Sequence, residues 1–310
     1  MNTAAQESPA AAVPGQRADA GASRPNGELV YRALAVVTVA TARAADAAEW
    51  ISHRSARTFG GLLMQACTAE ELSRLTTRLY DASLVRYTPD AGLRQWELDW
   101  FAAYLPPAPA RILVGGAGAG REVGPLLTRG YVVDAFDAVP RYAAECAALP
   151  GIGLARCLDF ADFERQWLEP EAGGEASFAA APYDAVVLGW CSIDHVLVPA
   201  DRERLLRAAC AATPNGPVLT SFHARECEGT EALGTPGLAG RLGERLGRPL
   251  RTARRLSDPP VKARLFWGSG FTRYATREEI EGLAALVGRR VVWETGAHGR
   301  AVFLAEPLNG

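Results

Sequence analysis

The chain has 310 residues, a formal net charge of −2 from 33 basic and 35 acidic side chains, and 48% hydrophobic residues. That balance gives no general pull toward nucleic acid or acidic membranes, and the length allows one large core plus an accessory element. Six cysteines (67, 146, 157, 191, 210 and 227) show no CxxC spacing and the four histidines show no metal-ligand spacing, so no metal is expected and a reduced, cytoplasmic setting is.

Residues 1–27, rich in Ala, Pro, Gly and Ser, lack the apolar run of a signal sequence and read as a disordered tail. The apolar stretch after them is interrupted by Arg32, Arg43 and Asp46, which fits a buried helix and no membrane span. Helical periodicity continues to residue 105. Thr68 and Glu71 form the Ser/Thr-x-x-Glu start signal of one helix, with Leu72, Leu75 and Leu79 expected along one face. Leu93, Trp96, Trp100, Phe101 and Tyr104 repeat the spacing, and "LPPAPA" ends it. Residues 28–105 therefore read as a helical region, and residues 106–310 as a second domain.

Beyond that boundary, strand and helix alternate. Strands are expected at Arg111–Val114, Tyr131–Asp137, Gly153–Leu158, Asp184–Leu188, Val218–Phe222, Val291–Thr295 and Ala301–Ala305. Intervening helices include one opened by Thr276 and Glu279. The fold class is α/β: a doubly wound, mostly parallel seven-stranded sheet covered on both faces. Its last strand runs antiparallel, because "GAHGR" is too short for a parallel crossover. From Arg241 to Arg264 the arginines are dense enough for an acidic substrate, a peptide or RNA, but stacking aromatics are scarce and a solvated face is expected. Gly247 and Pro249 argue against a long helix there.

The first strand runs into "GGAGAG", giving GxGxG with Gly116, Gly118 and Gly120. A dinucleotide fingerprint needs GxGxxG, and its third glycine would fall on Arg121 or Val123. No GK[ST] follows, so no phosphate site is implied. Asp137 closes the second strand seventeen residues beyond Gly120, where a carboxylate can accept both hydroxyls of a ribose. Asp134 lies too far inside the strand for that role.

Taken in order, these features make the chain from Arg111 to Pro307 resemble a class I S-adenosylmethionine-dependent methyltransferase. The resemblance implies S-adenosylmethionine as cofactor, with Gly116, Gly118 and Gly120 against it and Asp137 on its ribose. Asp159 and Phe160 would lie beside the adenine. Gly189, Trp190, Ser192, Asp194 and His195, after the fourth strand, would face the sulfonium and the substrate. The family usually has an acid two residues before the first glycine, where this chain has Val114. Glu122 is inferred to supply that carboxylate to the methionine ammonium, with Arg121 serving the methionine carboxylate or a neighbouring acid.

The resemblance also implies that residues 28–105 cap the active-site mouth. Tyr87 could enclose an acceptor there, while Tyr80 belongs with the leucine stripe. An activated methyl group needs little beyond alignment, which can contribute roughly 7–11 kcal/mol. A hydroxyl or a protonated nitrogen needs a base as well, and His195 is the first choice, with His223 second. The expected reaction is methylation of a small molecule at oxygen or nitrogen, with neither nucleic acid nor membrane as partner. A peptide acceptor and a non-catalytic binding module are the alternatives.

Overall fold

The apolar runs become strands because each is buried on both faces. In β1 (Arg111–Gly115), Leu113 packs into one hydrophobic cluster while Ile112 and Val114 pack into the other. In β4 (Ala185–Leu188), Val186 and Leu188 face the first cluster, and Ala185 and Val187 the second. Such strands read as continuous hydrophobic stretches, as parallel sheets require. The computed structural model describes residues 54–82, 92–169, 178, 182–224, 237–259, 263–266, 270–296 and 298–305, with scattered positions between 36 and 51. Contacts divide the chain into two units, Met1–Ile51 and Ser52–Gly310. The expected tail at 1–27 and Tyr87 lie outside the described residues.

The main sheet has the order β3 (Ala155–Cys157), β2 (Val132–Asp137), β1, β4, β5 (Val218–Phe222), β9 (Gly299–Leu304), β8 (Arg290–Glu294). The first five pair parallel, and β9 pairs antiparallel with both neighbours. The sequence order reverses at β1, which lies between β2 and β4. Ligands of open α/β sheets enter at such a switch point, outside the carboxyl ends of the strands. Asp134, inside β2, is structural: its carboxylate accepts from Arg111, Tyr183 and the Leu154 N–H at 2.7–2.8 Å.

The helices in chain order are α1 (54–66), α2 (Ala69–Ala82), α3 (Gln95–Tyr104), α4 (Val123–Thr128), α5 (Pro140–Ala147), α6 (Phe160–Leu168), α7 (Pro199–Ala212), α8 (Leu238–Arg254) and α9 (Arg277–Leu286). Both expected capping boxes form: Thr68 and Glu71 exchange bonds of 2.9 and 3.1 Å, and Thr276 and Glu279 bonds of 3.1 and 3.4 Å. In α2, Leu72 is fully buried but Leu79 is 45% exposed, so the leucine stripe does not run the length of the helix. Tyr80 takes the inward position instead.

Two expectations for 241–264 need correction. The segment contains the 17-residue helix α8, and Gly247 and Pro249 both lie inside it. Gly240, Gly243 and Gly247 are buried on one face, where a Cβ at Gly243 would sit 1.9 Å from the Thr58 carbonyl oxygen. This backbone approach to α1 outweighs the low helix propensity of glycine. The arginines do not simply form a solvated face. Arg251 donates to the Met64 carbonyl at 2.8 Å, and Arg254 to the Ala66 carbonyl and to Glu71. They thereby satisfy the last carbonyls of α1, where the helix dipole favours a cation. After α8, a hairpin of β6 (Ala263–Phe266) and β7 (Gly270–Arg273) stands apart from the main sheet and packs against α2.

Candidate active site

The turn after β1 uses its glycines for different purposes. All three have positive φ: 67° at Gly116, 57° at Gly118 and 100° at Gly120. A Cβ at Gly116 would meet the Ser192 Cβ at 2.6 Å and the Phe160 ring at 3.6 Å. Gly116 thus lets the Ser192 side chain lie directly against the turn. At Gly120 a Cβ would strike Leu149 at 2.4 Å, so that glycine serves packing behind α5. Gly189 lies so near the turn that its Cβ would reach the Gly116 carbonyl oxygen at 2.7 Å.

Asp137 ends β2 beside this turn. Its Oδ2 accepts from the Gly118 N–H and its Oδ1 from the Val139 N–H, both at 2.8 Å. Burial pushes its carboxyl above the usual range, against the pull of those two N–H groups. A carboxylate has about four acceptor sites, so these two bonds leave capacity for a diol. Asp159 is exposed and caps α6, accepting from the Asp162 N–H at 2.7 Å.

Glu122 and Arg121 are both buried, together with Glu97 of α3. Arg121 is bonded to both acids and donates to the Gly92 carbonyl at 2.9 Å. Glu122 also accepts from the Trp190 N–H at 3.1 Å. Two carboxylates against one guanidinium leave a negative charge over, and burial raises the Glu122 carboxyl despite Arg121. Glu97 was not foreseen. Its one sequence signal is an acid set among Trp96, Trp100 and Phe101, on a helix that also starts with its help: the Arg94 N–H donates to it at 2.8 Å.

The loop after β4 carries the remaining candidates. Trp190 has the guanidiniums of Arg94 and Arg121 over its ring at 4.6 and 4.3 Å. Ser192 Oγ is buried and has no hydrogen-bond partner among the described residues. Asp194 was expected near the substrate but is fully buried. Its Oδ2 accepts from both the backbone N–H and Nδ1 of His223 at 2.7 Å, and Arg202 lies 3.6 Å from Oδ1. It can act on a ligand only through His223. Burial works against a charged His223, but the Asp194 carboxylate outweighs it and raises the imidazole.

His195 is held at both nitrogens. Nδ1 lies 3.0 Å from the Phe271 carbonyl, which can only accept, so Nδ1 carries the proton. Nε2 is then the acceptor for the Tyr80 hydroxyl, also at 3.0 Å. Burial lowers the imidazole's pKa and keeps it neutral at pH 7.

No protein-family model and no curated protein matches the chain. Among solved structures it is similar to the CcbJ methyltransferase from Streptomyces caelestis, at 18% identity over 74% of this chain and 96% of that one, TM-score 0.45. It is similar also to CalS10, an amino pentose methyltransferase from Micromonospora echinaspora, at 15% identity over 78% and 94%, TM-score 0.42. A third likeness is to a structure from Rhodobacter sphaeroides described as a putative zinc-dependent alcohol dehydrogenase, at 15% identity over 75% and 98%, TM-score 0.46.

Proposed function

We propose that the chain is an enzyme that binds S-adenosylmethionine at the β1–β4 switch point and methylates an oxygen or nitrogen atom of a small molecule. The observation that carries this is the convergence of Asp137, the Glu97–Arg121–Glu122 cluster and the unpartnered Ser192 hydroxyl on one glycine turn. Bound there, the cofactor would supply a methyl group already activated on a sulfonium. Asp137 would accept the ribose hydroxyls. Glu122, in a cluster with surplus negative charge, would pair with the ammonium, replacing the acid absent at Val114. The Ser192 hydroxyl offers one further hydrogen bond in the same cleft, and Phe160 an apolar wall. Tyr80 and His195 can hold and pass on a proton on the acceptor side. Gly118 keeps Asp137 in place through its N–H, Gly120 shapes the turn, and the Trp190 N–H fixes Glu122.

Calorimetry with S-adenosylmethionine and its demethylated product tests the proposal. Both should bind, and Asp137→Ala should weaken them about ten- to a hundred-fold, the effect of losing roughly 1.5–3 kcal/mol of bonds to a charged group. Binding of NADH with neither of these ligands would overturn it. Tight binding with no turnover across a broad acceptor screen would leave a binding module.

A further inference from the structure

Beside the cleft, three residues from three separate elements converge. Cys191 follows β4 with its backbone in the left-handed region, φ 52°, unusual for a residue with a side chain. His223 follows β5, and His298 lies in the turn from β8 to β9. One ligand atom from each lies within 4.8 Å of the other two, and Cys191 Sγ is 3.9 Å from His298 Nδ1. Tetrahedral zinc, with bonds of about 2.3 Å to sulfur and 2.0–2.1 Å to nitrogen, would hold such a pair roughly 3.6 Å apart. The side chains therefore need shift by only a few tenths of an ångström for that pair.

The surroundings of His223 match what a metal ligand needs. Asp194 holds Nδ1 of His223 at 2.7 Å. A carboxylate on one ring nitrogen fixes the imidazole and makes the other, here Nε2, the better metal donor. The Trp190 ring meets His298 edge to face at 5.4 Å, and His223 meets it in the same way at 5.8 Å. A thiolate with two imidazoles is a donor set for zinc, whereas magnesium and calcium take oxygen ligands.

We propose that Cys191, His223 and His298 form a zinc site, with Asp194 as the carboxylate behind His223. Only three side chains in the described residues form the cluster, so the fourth position would be left to water or to an oxygen or sulfur donor of a bound small molecule. Sequence spacing gave no sign of it, because no two of these residues are neighbours in the chain. Zinc binding here does not depend on the methyl-transfer proposal.

The test uses the full chain, freed of any affinity tag and expressed with added zinc. Elemental analysis should find about one zinc per chain. The metal-free protein titrated with Co²⁺ should develop a thiolate-to-cobalt charge-transfer band and the visible bands of tetrahedral cobalt. Cys191→Ser should abolish the charge-transfer band, and His298→Ala should lower zinc affinity at least ten-fold. Unchanged circular dichroism, and unchanged binding of the demethylated cofactor if the wild type binds it, would show that the fold survives. A wild-type protein that takes up neither metal would overturn the site. So would wild-type zinc content in the Cys191→Ser/His298→Ala double variant, because the metal would then reside elsewhere.

Discussion

Arg121 and Glu97 form a buried ion pair between the first turn after the glycines and helix α3, at 3.0 Å for one of its two contacts. Glu122 shares the same guanidinium, so the three groups are electrostatically unequal partners. Removing the cation should be worse than removing one acid. Arg121→Met would leave two carboxylates buried together, and denaturant unfolding should show a loss of about 3–5 kcal/mol. Glu97→Gln can keep the cap on α3 but turns its amide N–H2 toward the Arg121 guanidinium, so stability should fall by about 1–3 kcal/mol, less than for Arg121→Met, while affinity for S-adenosylmethionine falls. Equal losses of stability from both variants would refute the surplus-charge account.

The Glu122 carboxyl gives this cluster a pH dependence. Burial raises its pKa in the folded protein, so the native state holds that proton to higher pH than the unfolded chain does. Its contribution to stability is therefore largest below the ordinary carboxylate range and is lost as pH rises through the raised value. An ammonium beside it favours the ionised form, so cofactor affinity should increase over that same interval, with proton release on binding. Calorimetry in buffers of different ionisation enthalpy measures the release, and Glu122→Gln should abolish it. A pH-independent affinity with no proton release would separate Glu122 from the ammonium.

The strands were legible because burial on both faces leaves unbroken apolar runs, and Val218–Phe222 matches its expected limits residue for residue. Both capping boxes were legible because they are local, as was the position of Asp137 at the end of β2 with Asp134 inside it. Other features depend on contacts that only the fold creates. Helix α8 was hidden because its glycines, unfavourable locally, are required by the approach to α1. Glu97 meets Arg121 across 24 residues, and Cys191 meets His298 across 107. The hairpin of β6 and β7 was obscured because Arg264 of β6 read as the end of a basic run.

Glycine substitutions measure the first of these effects. At Gly243 a Cβ would sit 1.9 Å from the Thr58 carbonyl oxygen, against backbone that cannot rotate aside. Gly243→Ala should therefore destabilise the protein by about 1–3 kcal/mol or more through the forced separation of α1 and α8. Gly282, exposed in α9, has no atom within 4 Å of its would-be Cβ. Gly282→Ala should stabilise by roughly 0.5–1 kcal/mol from helix propensity alone. Thermal denaturation of the two variants gives opposite signs if the packing argument holds.

The Tyr80–His195 pair sets the last expectation. A base that attacks an acceptor proton directly must present an unprotonated nitrogen to it, and the Tyr80 hydroxyl stands at the one His195 offers. For a hydroxyl acceptor, the proton would then pass to His195 by way of Tyr80, and each residue would depend on the other. His195→Ala should lower kcat roughly 10²–10⁴-fold, the usual contribution of a positioned base, with cofactor affinity little changed. Tyr80→Phe should lose nearly as much, and the double variant hardly more than either single one, because both substitutions interrupt the same transfer. If His195 instead acts directly after Tyr80 swings away, Tyr80→Phe would retain most of the rate while His195→Ala would not. Near wild-type rates in both variants with a hydroxyl acceptor would remove the pair from proton transfer and leave alignment as the main source of catalysis.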